Sequence, residues 1–89
     1  MLCLTARRGV TIYIGENSIE LKSFDKTKLN FLMRIGNETS MIPLGIGGSV
    51  WISGGNVKFY GFSEQGTPRL AFDHPGHIQI TRSNAGKRK

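Results

Sequence analysis

The stretch Gly9–Phe24, GVTIYIGENSIELKSF, occurs twice in this chain. Thirty-eight residues further on, with no gap, the chain reads GGSVWISGGNVKFYGF from Gly47 to Phe62. Gly9 falls on Gly47, Ile14 on Ile52 and Phe24 on Phe62, while Thr11/Ser49, Ile12/Val50, Tyr13/Trp51, Ile19/Val57 and Leu21/Phe59 are conservative pairs. Continued at the same offset, Leu32 falls on Leu70. An internal repeat decides architecture before any single motif does. Each copy reads as a β-meander, and two fused copies suggest one chain doing the work of a dimer.

Outward from the repeat the chain is strand and turn. Ser18 to Phe24 alternates Ile19 and Leu21 with Glu20 and Lys22, the period of a half-buried strand. Leu29 to Ile35 is apolar on both parities and is expected to be central. Ser40 to Ile46 carries Pro43, which restricts it to a sheet edge or an irregular crossing. Met1 to Thr5, Thr11 to Ile14, Val50 to Ile52, Val57 to Phe62, Arg69 to Phe72 and His77 to Arg82 complete the expected strands. Turn signals recur about every 8–12 residues and no amphipathic helix of useful length is present. The expected fold is all-β: a small antiparallel barrel or sandwich of two tandem meanders, residues 1–38 and 39–82, forming a single-chain pseudo-dimer with its N- and C-terminal strands adjacent. Residues 83–89 lack an apolar anchor and are expected to form a disordered basic tail.

At 89 residues this is one small domain, which buries only roughly 60–65% of its unfolded surface. Its net charge is +6, and the placement of that charge is uneven. Between Gly9 and Thr81 six basic residues balance six acidic ones. The excess comes from Arg7 and Arg8 at one end and Arg82, Lys87, Arg88 and Lys89 at the other. If the fold brings the first and last strands together, these six make one positive patch suited to phosphate.

Several function classes are not expected. Cys3 is the single cysteine, so no internal disulfide is possible, which fits a reducing, cytoplasmic setting; in an apolar strand it reads as a small buried hydrophobe. No secretory signal or membrane span is expected. His74 and His77 have one carboxylate nearby, Asp73, and no second ligand cluster, so no metal site is expected. The glycines at 45, 47 and 48 are followed by neither Lys-Ser/Thr nor a helix, so they do not read as a nucleotide loop. No acid, base or nucleophile constellation is apparent; the chain is read as a non-enzyme without cofactors.

The opening MLCLTARRGVTIYIG resembles the start of the carbon storage regulator family, small bacterial RNA-binding translational regulators. Their opening runs Met-Leu-(Ile/Val)-Leu-Thr-Arg-Arg-x-Gly-Glu-x-(Ile/Leu)-x-Ile-Gly. Met1, Leu2, Leu4, Thr5, Arg7, Gly9, Thr11, Ile14 and Gly15 align with it, whereas Ala6 replaces the first arginine of the pair and Val10 the glutamate. Pro68 to Arg82, PRLAFDHPGHIQITR, is similar to the end of that family's core, with Arg69, Pro75, Ile78, Ile80 and Arg82 in place. Together the two quoted stretches cover about one-third of the chain.

That family is a homodimer of interleaved five-stranded chains, and each site lies where the first strand of one protomer meets the last strand of the other. The resemblance therefore implies that Met1 to Arg8 pairs with His77 to Arg82. By the repeat offset, Leu4-Thr5-Ala6-Arg7 corresponds to Ile42-Pro43-Leu44-Gly45, which has no cation, so one RNA site per chain is expected instead of two. The family's C-terminal helix is not expected here. The implied activity is recognition of single-stranded GGA elements, often in hairpin loops, and a block of translation where the element overlaps a ribosome-binding site. The implied RNA-binding residues are Leu4, Arg7, Arg8, His74, Pro75, Gly76, Ile78, Ile80 and Arg82. Arg7, Arg8 and Arg82 would hold phosphates and guanine edges. The last strand and the His74-Pro75-Gly76 turn would read splayed bases. Two readings remain open beside it: a protein-interaction module of the same fold, antagonist or partner of a host regulator, and an unrelated structural β-domain.

Overall fold

In both repeats a two-residue turn sets the first hairpin. Gly15 has φ 63°, and at the matching place Ser53 and Gly54 have φ 57° and 78°. Positive φ at both central residues, as at Ser53-Gly54, or at the first alone, as at Gly15-Glu16, gives a turn whose twist suits a right-handed hairpin. The computed structural model describes residues 2–82. Nine strands follow one another: β1 Leu2–Thr5, β2 Thr11–Ile14, β3 Asn17–Phe24, β4 Lys28–Ile35, β5 Glu38–Gly45, β6 Ser49–Ile52, β7 Gly55–Phe62, β8 Pro68–Asp73 and β9 Ile80–Arg82. No helix occurs among them. They form two antiparallel sheets, ordered β1-β8-β7-β6 and β5-β4-β3-β2-β9. The all-β, two-meander architecture is as the sequence indicates.

The core lies between the sheets. The period-2 residues Ile12 and Ile14 of β2, Ile19 and Leu21 of β3, and Leu29 and Phe31 of β4 meet Ile52, Val57, Phe59, Leu70 and Phe72 of the other sheet in one buried cluster. Ala6 and Leu44 complete it. β4 is flanked on both sides and β5 is a sheet edge. The Ile35↔Glu38 closing pair sets the hydrogen-bonding phase, so Pro43 faces Asn30 at a pair that needs no N–H from it.

The repeat persists in the strand register. Ile12↔Ile19 recurs as Val50↔Val57, and Tyr13↔Ser18 as Trp51↔Asn56. A bulge between Leu21 and Ser23 recurs between Phe59 and Gly61, extruding Lys22 in one half and Tyr60 in the other. The offset then slips. Leu21 pairs with Phe31, whereas its counterpart Phe59 pairs with Leu70, so Leu70 corresponds to Phe31 and not to Leu32. The cause is one extra residue in the turn at Ser63–Thr67, where Ser63 N donates to Thr67 O over 2.8 Å. A one-residue slip exchanges the faces of a strand; accordingly Phe31 and Leu70 are buried and Leu32 is half-buried.

The terminal strands are adjacent, but they do not form the ladder expected of them. β1 pairs with β8, Leu4 opposite Leu70, and β9 pairs with β2, Ile12 opposite Arg82. The last strand is also shorter than the expected His77–Arg82. Ile78 N donates to Pro75 O over 3.0 Å, which closes a turn and delays extended backbone until Ile80. The expected tail, 83–89, lies outside the described residues.

Candidate nucleic-acid interface

β1 and β9 are edge strands of different sheets, and one contact spans the gap between them. Arg82 Nη1 donates to Thr5 O over 2.9 Å and approaches Thr5 Oγ1 at 3.3 Å. Each edge strand leaves one row of N–H and C=O groups outside its ladder. The connection from Ala6 to Val10 leaves β1 beside Thr5 and enters β2 next to Ile12, the ladder partner of Arg82. Both of its ends therefore flank Arg82, and it carries Arg7 and Arg8, both exposed. Ala6 anchors it in the core, donating its N–H to Pro68 O over 2.8 Å. Gly9 N donates to Leu21 O over 3.1 Å beside an isolated parallel bridge from Arg8 to Leu21.

A cleft of about 300 Å³ opens along this seam. Five of the nine expected site residues line it: His74, Pro75, Gly76, Ile78 and Ile80, joined by Leu2 and Phe72. Ile78 and Ile80 are half-buried and also pack against the core, so they act as floor. Leu4 is packed against the core opposite Leu70 and does not line the cleft. Arg7, Arg8 and Arg82 stand at one end of the seam. Lys87, Arg88 and Lys89 lie outside the described residues.

His74 holds the wall of the cleft. Its Nε2 lies 2.8 Å from Ile52 O, so that nitrogen carries the proton and donates. Its Nδ1 is buried without a partner among the described residues. A Cβ on Gly55 would overlap this ring and also the main-chain oxygen of Asp73. His77, by contrast, is exposed and lines a separate hollow with Gly15 and Ser53. Two hydrogen bonds tie the repeat turns together beneath that hollow: Ser53 Oγ donates to Ile14 O over 2.6 Å, and Asn17 Nδ2 to Ser53 Oγ over 2.8 Å.

The outer face of the β1 sheet adds groups that are not among the expected RNA-binding residues. Thr5 lies opposite Arg69 on β8, so Thr5 separates two guanidinium groups, Arg69 on the ladder side and Arg82 on the cleft side. The Arg69 guanidinium stands 5.1 Å above the Tyr60 ring. Tyr60 reaches it because the bulge extrudes that residue. Cys3 is exposed here and not buried: Leu4 takes the inward position on β1, which turns Cys3 to the outer face opposite Ala71. A hydrogen bond with the Cys3 thiol raises the Tyr60 pKa above its ordinary value; desolvation adds to this and Arg69 opposes it. Knowing that β1 pairs with β8 is what reveals this face; the repeat alone does not.

Among the described residues the one ion pair joins Lys22 to Glu20, so no carboxylate neutralises Arg7, Arg8, Arg69 or Arg82. Also among the described residues, no three His, Cys, Asp or Glu side chains gather in one place. The arrangement offers uncompensated planar cations, open strand edges and an apolar floor. Comparison with protein-family models, with curated proteins and with solved structures finds no match.

Proposed function

We propose that this chain binds single-stranded RNA along the seam between β1 and β9. The observation that carries the reading is the Arg82–Thr5 contact, which sets two open strand edges side by side with Arg7, Arg8 and Arg82 at one end. Phosphates are held by the guanidinium groups and bases lie over Ile78 and Ile80, their edges facing main-chain groups. In keeping with the sequence resemblance, the preferred element is GGA in a hairpin loop, and binding over a ribosome-binding site blocks translation.

The same geometry supports the reading of a single site per chain. β5 pairs with β4 as β1 pairs with β8, in the register that places Ile42 and Pro43 at the positions of Leu4 and Thr5. No arginine accompanies that strand, and no strand lies on the far side of β6 among the described residues.

The test is binding of a GGA-loop hairpin and a loop-scrambled control over a salt series, with stoichiometry fixed by titration. Selective, salt-dependent binding of one RNA per chain is expected. Equal binding of both RNAs would reject sequence recognition, and no binding at moderate salt would reject the reading in favour of a protein partner.

A further inference from the structure

The two halves of the chain differ at one sheet edge. In the first half, β2 is covered by β9, with Tyr13 opposite Thr81, and Gly15 N donates to Gln79 O over 2.8 Å. Its counterpart β6 has β7 on one side and, among the described residues, no paired strand on the other. The hairpin fixes which groups face outward. The Ile52↔Gly55 closing pair turns the N–H and C=O of Ile52 and Val50 toward β7, so those of Ser49 and Trp51 face the open side. The side chains are exposed too. Trp51 is 68% exposed and Ile46, just before the strand, 54%.

The charge around this edge selects its occupant. From Met41 to Val57 the chain contains no Asp, Glu, Lys or Arg, although the whole carries +6. The flanking cations belong to other strands: Lys58 lies opposite Ser49 on β7, and Lys28 of β4 opposite Gly45. A nucleic-acid backbone finds little attraction here, whereas a neutral extended strand meets no opposing charge. Nothing on the edge protects it: it has no proline, no bulge and no inward-pointing charge.

We propose that β6 pairs with β6 of a second copy of this chain. The strand is self-complementary about a two-fold axis through Val50. Each Ser49 then faces the second copy's Trp51, and each such pair exchanges two main-chain hydrogen bonds. Outward side chains stay outward on both copies, and the two four-stranded sheets become continuous. The basic seam at β1 and β9 lies at the other edge of each sheet, so like charges are kept apart. With four residues in the strand the association is weak and depends on concentration. This inference does not rest on the RNA reading.

Trp51 is the single tryptophan, so its emission reports on this edge directly. Sedimentation equilibrium and fluorescence from micromolar to millimolar protein test the proposal. The expected result is a mass rising toward twice that of the chain, with a blue shift of emission over the same range. Trp51→Lys and Ser49→Pro should each hold the mass at one chain, with the far-ultraviolet dichroism unchanged; the proline removes an N–H that only the second copy uses. A single-chain mass with constant emission at every concentration would overturn the proposal. So would a dimer that survives both substitutions. A monomer whose emission shifts only on addition of RNA would overturn it in favour of a nucleic-acid-covered edge.

Discussion

Arg82 and Thr5 stand seventy-seven residues apart in the chain, yet the guanidinium of one donates to the main-chain oxygen of the other over 2.9 Å. This contact joins two sheets that no ladder joins at this seam. It also fixes a planar cation between two open strand edges.

Replacing that guanidinium should therefore cost binding much more than stability. The contact is exposed, so Arg82→Ala should lower unfolding free energy by about 1 kcal/mol or less. Loss of a two-pronged base or phosphate contact costs about 1–3 kcal/mol, or roughly ten- to a hundredfold in affinity. Arg82→Lys keeps the charge but not the fork, so it should retain the salt dependence and lose preference for the GGA loop. Urea melts and paired binding titrations separate these effects.

Arg7 and Arg8 are exposed and make no ion pair among the described residues. Each that contacts a phosphate should contribute about 0.7 to the slope of log affinity against log salt. Removing one should flatten the slope by that amount while leaving the ratio between GGA and scrambled loops nearly unchanged. Measuring the slope for each single alanine variant identifies which of the two reaches the backbone.

The slipped register predicts unequal consequences for two leucines at the same repeat position. Leu70 is fully buried opposite Phe59, whereas Leu32 is half-buried on the outer side of β4. Leu70→Ala should cost about 2–5 kcal/mol and Leu32→Ala well under half as much. Phe31→Ala, at the true counterpart of Leu70, should cost about 3–5 kcal/mol. Chemical denaturation of the three variants decides the assignment.

The His74 ring occupies the place of a side chain on Gly55. Gly55→Ala should expel it, break the bond to Ile52 O and cost about 1–3 kcal/mol. The Asp73 main-chain oxygen lies equally close to that place, so in a His74→Ala background the same change should recover only the part of the cost that belongs to the ring. A double-mutant cycle measures this coupling.

Asp25 accepts from Thr27 N at 2.8 Å, Thr27 Oγ1 at 3.1 Å and Lys28 N at 2.9 Å. The Thr27 backbone bond, with its hydroxyl next, lowers the Asp25 pKa below the ordinary carboxylate value. The folded state thus favours the ionised form. Its contribution to stability is complete above the unfolded-state pKa and is lost as pH falls through the lowered folded value. Asp25→Asn should remove this part of the acid limb of a stability–pH curve and leave the slope of the neutral region unchanged.

The repeat made the strands, both meanders and the inward residues Ile12, Ile19, Leu21, Val57 and Phe59 legible, because period and turn chemistry are local properties. The partner of β1 was not legible. Leu2 to Thr5 is as well suited to β9 as to β8, and only the assembled core chooses Leu70 for Leu4. The extra residue at Ser63–Thr67 was hidden for a similar reason: the offset still set leucine on leucine, on the wrong face. Arg69 joined the candidate interface through the pairing of β1 with β8, and Tyr60 through a bulge, which has no clear mark in a run such as Val57 to Phe62. The charge imbalance at the chain ends was legible as a list of residues; its meaning depended on a contact between Thr5 and Arg82.

The ladders of β1 with β8 and of β2 with β9 also impose an order of events. Both close loops of more than sixty residues, while every other ladder joins strands that are neighbours in the chain. Local hairpins form fast and distant closures come late. On a ribosome β1 must wait for β8, and β2 remains an uncovered edge until Ile80 to Arg82 have emerged. A nascent chain can therefore hold two folded meanders and no binding seam at all. The proposed site appears only when synthesis has passed Arg82, so binding there would report that both terminal strands have been made.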